Sequence, residues 1–360
     1  MTSTTAGTCA EIQITPLDAS NQVAAVSAGG TITLSGASSG AFYGAADTTC
    51  TATPITTIDF STGDTAKVFH YKNLSSESVT LAGTISSGFM VGASTNHALS
   101  VNVGAASLLA VTTQPNSSAV AGITLSTPPV VQIADYYGNL VNSSAAVGVE
   151  VHTNAGCTAA ENSGTLTGGA ATASSGSATF SSLNFTKAGT YYFKFTSSSL
   201  TSVCSTAVTI SHAAASQIAF TTEPSSSTGG TAFATQPVVK IYDTYNNLVT
   251  SGADATATIT LSLPSGTGVL AGTNSMNAVA GVADFAGKGL NINLSGAKTL
   301  RASKADTSGS GGTTAKTADT ASFTISVGGA TQLVFTVLQT FEWVRQFSFA
   351  RHGAHNAVLA

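Results

Sequence analysis

One short phrase is written three times in this chain: an apolar strand, an aspartate, a turn of small or amide residues, and a second apolar pair. It reads Ile14-Thr15-Pro16-Leu17-Asp18-Ala19-Ser20-Asn21-Gln22-Val23 at its first occurrence. It returns as Val131-Gln132-Ile133-Ala134-Asp135-Tyr136-Tyr137-Gly138-Asn139-Leu140-Val141, then as Val239-Lys240-Ile241-Tyr242-Asp243-Thr244-Tyr245-Asn246-Asn247-Leu248-Val249. From Asp135 to Asp243 is 108 residues. A period near a hundred residues is the size of one small domain, so the phrase constrains the chain to an array of small units.

The units are β by composition. Only 8% of the residues are charged, against roughly 25% in an average soluble protein. Serine and threonine take their place, with 47 and 56 residues. A hydrophobic content of 42% in alternating runs of Val, Ile, Leu and Phe argues for packed cores and against disorder. Thr and Val favour strands, and few segments have the Ala/Leu/Glu/Lys make-up of helices. A net charge of −4 and 12 scattered Lys and Arg argue against a nucleic-acid surface. No apolar run approaches the roughly 18 residues of a membrane helix. The first residues, Met1-Thr2-Ser3-Thr4-Thr5-Ala6-Gly7, have neither the basic region nor the apolar stretch of a secretory signal.

Matched landmarks divide the array. Ala106-Ser107-Leu108-Leu109-Ala110-Val111-Thr112-Thr113-Gln114-Pro115 opens one repeat, and Ala215-Ser216-Gln217-Ile218-Ala219-Phe220-Thr221-Thr222-Glu223-Pro224 opens the next. Ala330-Thr331-Gln332-Leu333-Val334-Phe335-Thr336-Val337 starts a third such opening and then loses the pattern. Further along, Ser177-Ala178-Thr179-Phe180 lines up with Val282-Ala283-Asp284-Phe285, and Ala188-Gly189-Thr190-Tyr191 with Ser295-Gly296-Ala297-Lys298. Alternation puts Phe193 and Leu300 inward, with Lys194 and Arg301 outward. About seven short strands per hundred residues, with turns every 8 to 12, is the pattern of tandem immunoglobulin-like β-sandwiches. The expected division is 1–105, 106–212, 213–328, and 329–360 as the start of an interrupted fourth repeat with an unrelated tail.

The first repeat reaches its aspartate by residue 18, so its opening strand is expected to be missing or to lie upstream. Segments 225–230 and 307–314, rich in Ser, Thr and Gly, read as exposed loops. Links between repeats are short and favour a stiff rod. After Val337 the chain changes character: Trp343, Arg345, Arg351, His352 and His355 all fall there. Interruption of a fourth repeat is the first reading of that tail, and a short C-terminal anchoring helix the second.

Cys9, Cys50, Cys157 and Cys204 admit three pairings. Cys9–Cys50 with Cys157–Cys204 keeps each bridge inside one repeat, the other outcome being four free thiols. Closing the second loop is worth about 4 kcal/mol. Disulfides imply an oxidising compartment, hence an extracellular or cell-surface location.

These phrases, in this order, resemble the bacterial immunoglobulin-like repeats of invasin- and intimin-type surface proteins. The resemblance covers residues 106 to 328 well and 9 to 104 less closely. It implies a modular stalk or adhesin segment whose partners are the other domains of the same surface protein and a host or cell-surface glycan or protein.

Candidate sites follow from the turn phrase. Asp135 and Asp243 invite a calcium reading, since carboxylates in loops between sandwiches can ligate that ion. The structural alternative is that each aspartate bonds backbone amides of its own turn, with Gly138 or Asn246 in the left-handed conformation. Tyr136, Tyr137 and Tyr245 bracket the turn and are the candidates to stack on a sugar; otherwise they cap the end of a sandwich. Gly36-Ala37-Ser38-Ser39-Gly40 satisfies the hydrolase G-x-S-x-G pattern, but strand or loop follows it instead of a helix. His70, His97, His152 and His212 have no metal spacing, and no catalytic residue is assigned. The function expected is a non-enzymatic stalk or adhesin segment. The alternatives are a carbohydrate-binding array and accessory domains of a larger secreted hydrolase.

Overall fold

The computed structural model describes residues 2–85, 96–264, 267–330 and 334. Among them the regular elements are strands, apart from two single 3-10 turns at Ala253–Thr256 and Ser308–Ser310. The tail residues Trp343, Arg345, Arg351, His352 and His355 lie outside the described residues.

Three hydrophobic cores succeed one another along the chain. Ile32, Phe60, Phe69, Tyr71 and Leu99 belong to the first. Ile133, Phe180, Phe193, Phe195 and Ile210 belong to the second. Ile241, Ile259, Phe285, Leu300 and Ile325 belong to the third. The chain is all-β, built as tandem immunoglobulin-like sandwiches. In the second, Val130–Ala134 lies between Leu108–Thr113 and Ser177–Thr179. The sheet that shares its core runs Ser118–Val120, Val208–Ser211, Gly189–Thr196, Ala146–His152, Ala170–Thr172.

The third sandwich repeats this plan. Val238–Asp243 lies between Ala215–Thr222 and Val282–Asp284. Gly189–Thr196 has a split counterpart here, Gly296–Lys298 and Arg301–Lys304. Alternation orients these strands as the sequence predicts: Phe193 and Leu300 are buried, while Arg301 is exposed. One element is common to all three, a short strand running parallel to the last one. It is Ser3–Thr5 on His97–Asn102, Ser118–Val120 on Val208–Ser211, and Ser227–Thr228 on Phe323–Ser326.

The first sandwich departs in one respect. Its strand Ala10–Ile14 pairs with Lys67–Lys72, which in turn pairs with Ala41–Tyr43. No described strand occupies the other edge of Ala10–Ile14, where Leu108–Thr113 and Ala215–Thr222 lie in the other two sandwiches.

Cys9 bonds Cys50 and Cys157 bonds Cys204, so each bridge staples a single sandwich. The two segments read as exposed loops are more structured than composition suggested. Segment 225–230 contains the paired strand Ser227–Thr228, because small hydroxyl residues fit a sheet edge as well as a loop. Segment 307–314 folds over a buried ion pair: Lys304 Nζ sits 2.7 Å from Asp254 Oδ1, and the lysine side chain is fully buried. Thr307 Oγ1 donates to the same carboxylate oxygen at 2.5 Å, and the Thr313 amide at 3.0 Å.

Burial alone would raise the Asp254 pKa. Hydrogen bonds from Lys304, Thr307 and the Thr313 amide, with the lysine charge, instead bring it down to about 2. A carboxylate depressed in the folded state stabilises fully above its unfolded pKa, and that stability fades as pH falls through the folded one. The third sandwich is therefore expected to lose about 2 kcal/mol as pH falls from about 4 to about 2. Thermal melts across that range should show the loss, and melting curves flat with pH there would contradict it.

Candidate functional site

The three turn phrases fold alike. In each, the aspartate amide and a carbonyl four residues on close the hairpin: Asp18 to Gln22 at 2.8 Å, Asp135 to Asn139 at 2.9 Å, Asp243 to Asn247 at 3.0 Å. The left-handed position falls on Asn21, Gly138 and Asn246, residue types that accept a positive φ. Oδ1 of each aspartate then accepts two turn amides. They are Ser20 and Gln22 at Asp18, Tyr137 and Asn139 at Asp135, and Tyr245 and Asn247 at Asp243. That is the local work of aspartate in a turn.

Asp135 and Asp243 do more than this, and Asp18 does not. Asp135 Oδ2 accepts the Gly104 amide from the link before the second sandwich at 3.0 Å, and Asn139 Nδ2 at 2.9 Å. Asp243 Oδ2 accepts the Ala213 amide at 2.8 Å and Asn247 Nδ2 at 2.9 Å. Both aspartates are buried, whereas Asp18 is exposed. Burial pushes each buried carboxyl up, but these four donors hold both below the usual carboxylate range. The lone pairs a calcium ion would need are the ones these N–H groups occupy. Among the described residues, no group of three His, Cys, Asp or Glu side chains could hold a metal.

The amides of Asn139 and Asn247 reach back into the preceding sandwich. Asn139 Nδ2 donates to the Leu74 carbonyl at 2.7 Å, and its Oδ1 accepts the Ser76 amide at 2.9 Å. Asn247 Nδ2 donates to the Thr186 carbonyl at 2.8 Å, and its Oδ1 accepts the Ala188 amide at 2.8 Å. A primary amide bonded in this two-point way to a backbone behaves like one more residue in a ladder, fixing orientation as well as distance.

Two of the candidate tyrosines complete the contact. A Cβ placed on Gly7 would fall inside the Tyr137 ring, and one on Gly122 would fall against Tyr245 Oη. Both glycines have positive φ, +82° and +74°. Only glycine combines that conformation with so close an approach. The ring of Tyr137 or Tyr245 thus lies on the end of the sandwich before it. Tyr136 has no such seat: it is 76% exposed, edge-on to Tyr137 at 5.1 Å. It borders a cleft of about 510 Å³ with Asp135, Ser107, Ser199 and Thr201. A second cleft, of about 560 Å³, lies at the next junction beside His212, Asn246 and Ser251.

Substituting Gly122 by alanine should strain the backbone by about 1–2 kcal/mol and push the Tyr245 ring off its seat. Chemical denaturation measures the first effect and Tyr245 fluorescence or ring NMR shifts the second; unchanged ring shifts would count against the contact.

The other candidates have local roles. Ser38 Oγ donates to Glu77 Oε2 at 2.8 Å and Ser39 Oγ to Oε1 at 2.6 Å. The serine of the G-x-S-x-G match therefore faces a carboxylate, which cannot serve as the imidazole partner. His70 and His152 are buried, and His212 bonds Ser251. The junction partners Gly7, Gly104, Leu74, Ser76, Gly122, Thr186, Ala188 and Ala213 escaped the sequence reading, since most act through backbone atoms that any residue supplies.

Neither a protein-family model nor a curated protein sequence matches the chain. Among solved structures it is similar to FdeC, an Escherichia coli adhesin, at 14% identity over 90% of this chain and 94% of that one, with a TM-score of 0.37. It is similar to Yersinia pseudotuberculosis InvD at 14% identity over 91% and 96% of the two chains, with a TM-score of 0.31. Invasin, a bacterial integrin-binding protein, aligns at 11% identity over 90% of this chain and 58% of its own, with a TM-score of 0.30.

Proposed function

We propose that this chain is a non-enzymatic stalk segment of a secreted or cell-surface bacterial protein, divided at 1–105, 106–212 and 213–328, that holds a binding region at a fixed distance. The observation that carries the reading is the repeated junction. An Asp-Asn pair and a tyrosine clamp each sandwich onto the backbone of the one before it, twice, with the same atoms. Clamping through backbone groups restricts swivel without demanding a sequence motif on the accepting side, which suits a spacer. Two disulfides inside single sandwiches suit an oxidising compartment. No helix among the described residues is long and apolar enough to cross a membrane.

Native-state hydrogen exchange tests the clamp. The Ser76, Gly104, Ala188 and Ala213 amides are expected to exchange slowly, on the scale of the sandwich cores, although they lie in loops and links. Exchange as fast as that of unbonded loop amides would refute a stiff stalk.

A second reading is favoured by one observation, the exposed Tyr136 beside the first cleft. There the stalk would also bind carbohydrate, with the tyrosine face stacking on a sugar ring. Glycan-array binding that Tyr136→Ala abolishes and Tyr137→Ala alters supports it, and an array without signal removes it.

A further inference from the structure

In the second sandwich the short strand Ser118–Val120 runs parallel to the last strand, Val208–Ser211, and in the first Ser3–Thr5 runs parallel to His97–Asn102. Tension along the chain draws the short strand back toward the N-terminus and the last strand forward toward the C-terminus. Hydrogen bonds between strands run largely across that direction, so the parallel pair is loaded in shear and its bonds must give together. The pair is small, with three residues of each strand in register. At its edges the Thr209 amide donates to the Ser117 carbonyl at 2.9 Å and the Ala121 amide to the Ser211 carbonyl at 2.8 Å. The first sandwich has the same two bonds, Ser100 to Thr2 at 3.0 Å and Ala6 to Asn102 at 2.8 Å.

The junctions close on the ends of these same strands. Gly7 and Gly122, beneath the Tyr137 and Tyr245 rings, lie two residues past Thr5 and Val120, where the short strands end. Gly104 and Ala213, whose amides go to Asp135 and Asp243, lie two residues past Asn102 and Ser211, where the last strands end. Ser76 and Ala188, bonded by Asn139 and Asn247, immediately precede Glu77–Ile85 and Gly189–Thr196. Those strands flank the last strand on its other side, so one turn grips three neighbours in sheet order. A pull from the third sandwich therefore enters the second through three strands as well as through the covalent link. Without the turn it would enter through Val208–Ser211 alone and fall on the bonds to Ser118–Val120.

We infer that the chain has a load-bearing function beyond spacing, in which each junction braces the sandwich before it against unfolding under tension. The turn of the following sandwich spreads the load and shields the parallel pair. The inference rests on the clamp reading above and gives it a direction: support runs backward, from the second sandwich to the first and from the third to the second.

The disulfides limit how much chain a yielding sandwich gives up, and they make the sandwiches distinguishable. Residues between Cys9 and Cys50 and between Cys157 and Cys204 stay closed, whereas no cysteine lies in 213–328. Stretched at roughly 3.5 Å per residue, the first and second sandwiches each release about 60 residues, on the order of 200 Å, and the third about 115 residues, on the order of 400 Å.

Force-clamp spectroscopy on the full 360-residue chain, held by its ends without reductant, tests the bracing. The wild-type chain is expected to give two short steps and one long step. In the Y137A/Y245A variant both short steps should come about tenfold sooner at a given force, because lost native contacts speed unfolding, while the long step keeps its wild-type rate. Y245A alone should hasten one short step only. Neither tyrosine belongs to a core, so both variants are expected to fold. Short steps that keep their wild-type rate overturn the inference, as does a long step that speeds up with them. Slow exchange at the Ser76 and Ala188 amides beside unchanged short steps would leave the clamp standing and remove only the bracing; fast exchange at both amides would remove the two together.

Discussion

Replacing Asp243 by alanine is expected to destabilise the protein by about 3–5 kcal/mol and to free the third sandwich from the second. The size follows from what the carboxylate holds. Tyr245, Asn247 and Ala213 each donate an amide to it at 2.8 Å, and Asn247 Nδ2 donates at 2.9 Å. Each buried donor left without an acceptor costs about 1–3 kcal/mol, and Asp243 is fully buried. Asp135→Ala should behave similarly at the first junction. Asp18→Ala removes an exposed carboxylate that serves two turn amides only, so about 1 kcal/mol or less is expected. Denaturant unfolding of the three variants measures the contrast. Equal effects at all three positions would mean that the aspartates act as turn formers and nothing more.

The second large effect concerns Lys304. Changing it to methionine keeps most of the side-chain volume but leaves the Asp254 carboxylate buried without its cation. The expected loss is about 3–5 kcal/mol. Changing both Lys304 and Asp254 to apolar residues should recover a large part of it, because an intact apolar pair avoids burying charge. Arg301→Ala is the control. Its ion pair with Asp319 has both side chains 44% exposed, and such pairs are worth about 1 kcal/mol or less. Unfolding curves for the four proteins give the comparison; a double variant as unstable as Lys304→Met would show that packing, and not the unpaired charge, causes the loss.

These residues differ in how visible they were beforehand. The Asp turn was legible because its spacing, its left-handed residue and its flanking apolar pairs are all local in sequence. Its second role was not, since Asn139 and Asn247 meet partners 65 and 61 residues away, in the carbonyls of Leu74 and Thr186. A carbonyl has no sequence signature. Gly7 and Gly122 stand among 36 glycines and become informative only when their φ and the tyrosine above them are known. Lys304 did leave a trace: it has the same parity as the inward Ala302 in an alternating strand, so a charge falls on the core side. Its partner Asp254 is fifty residues earlier, where the sequence offers no pattern to join them. Segment 307–314 looked like a loop for the same reason, as threonines that line an ion pair cannot be told by composition from threonines in solvent.

The central claim, that successive sandwiches are clamped into a stiff array, is tested most directly by small-angle scattering on the wild-type chain, extrapolated to zero concentration. The account predicts an elongated particle, on the order of 100 Å long for three domains in line. Its maximum dimension should be sharply defined, and the distribution should broaden when Asn139 and Asn247 are both changed to alanine. A wild-type particle about as long as it is wide, or one already as broadly distributed as the double variant, would contradict it.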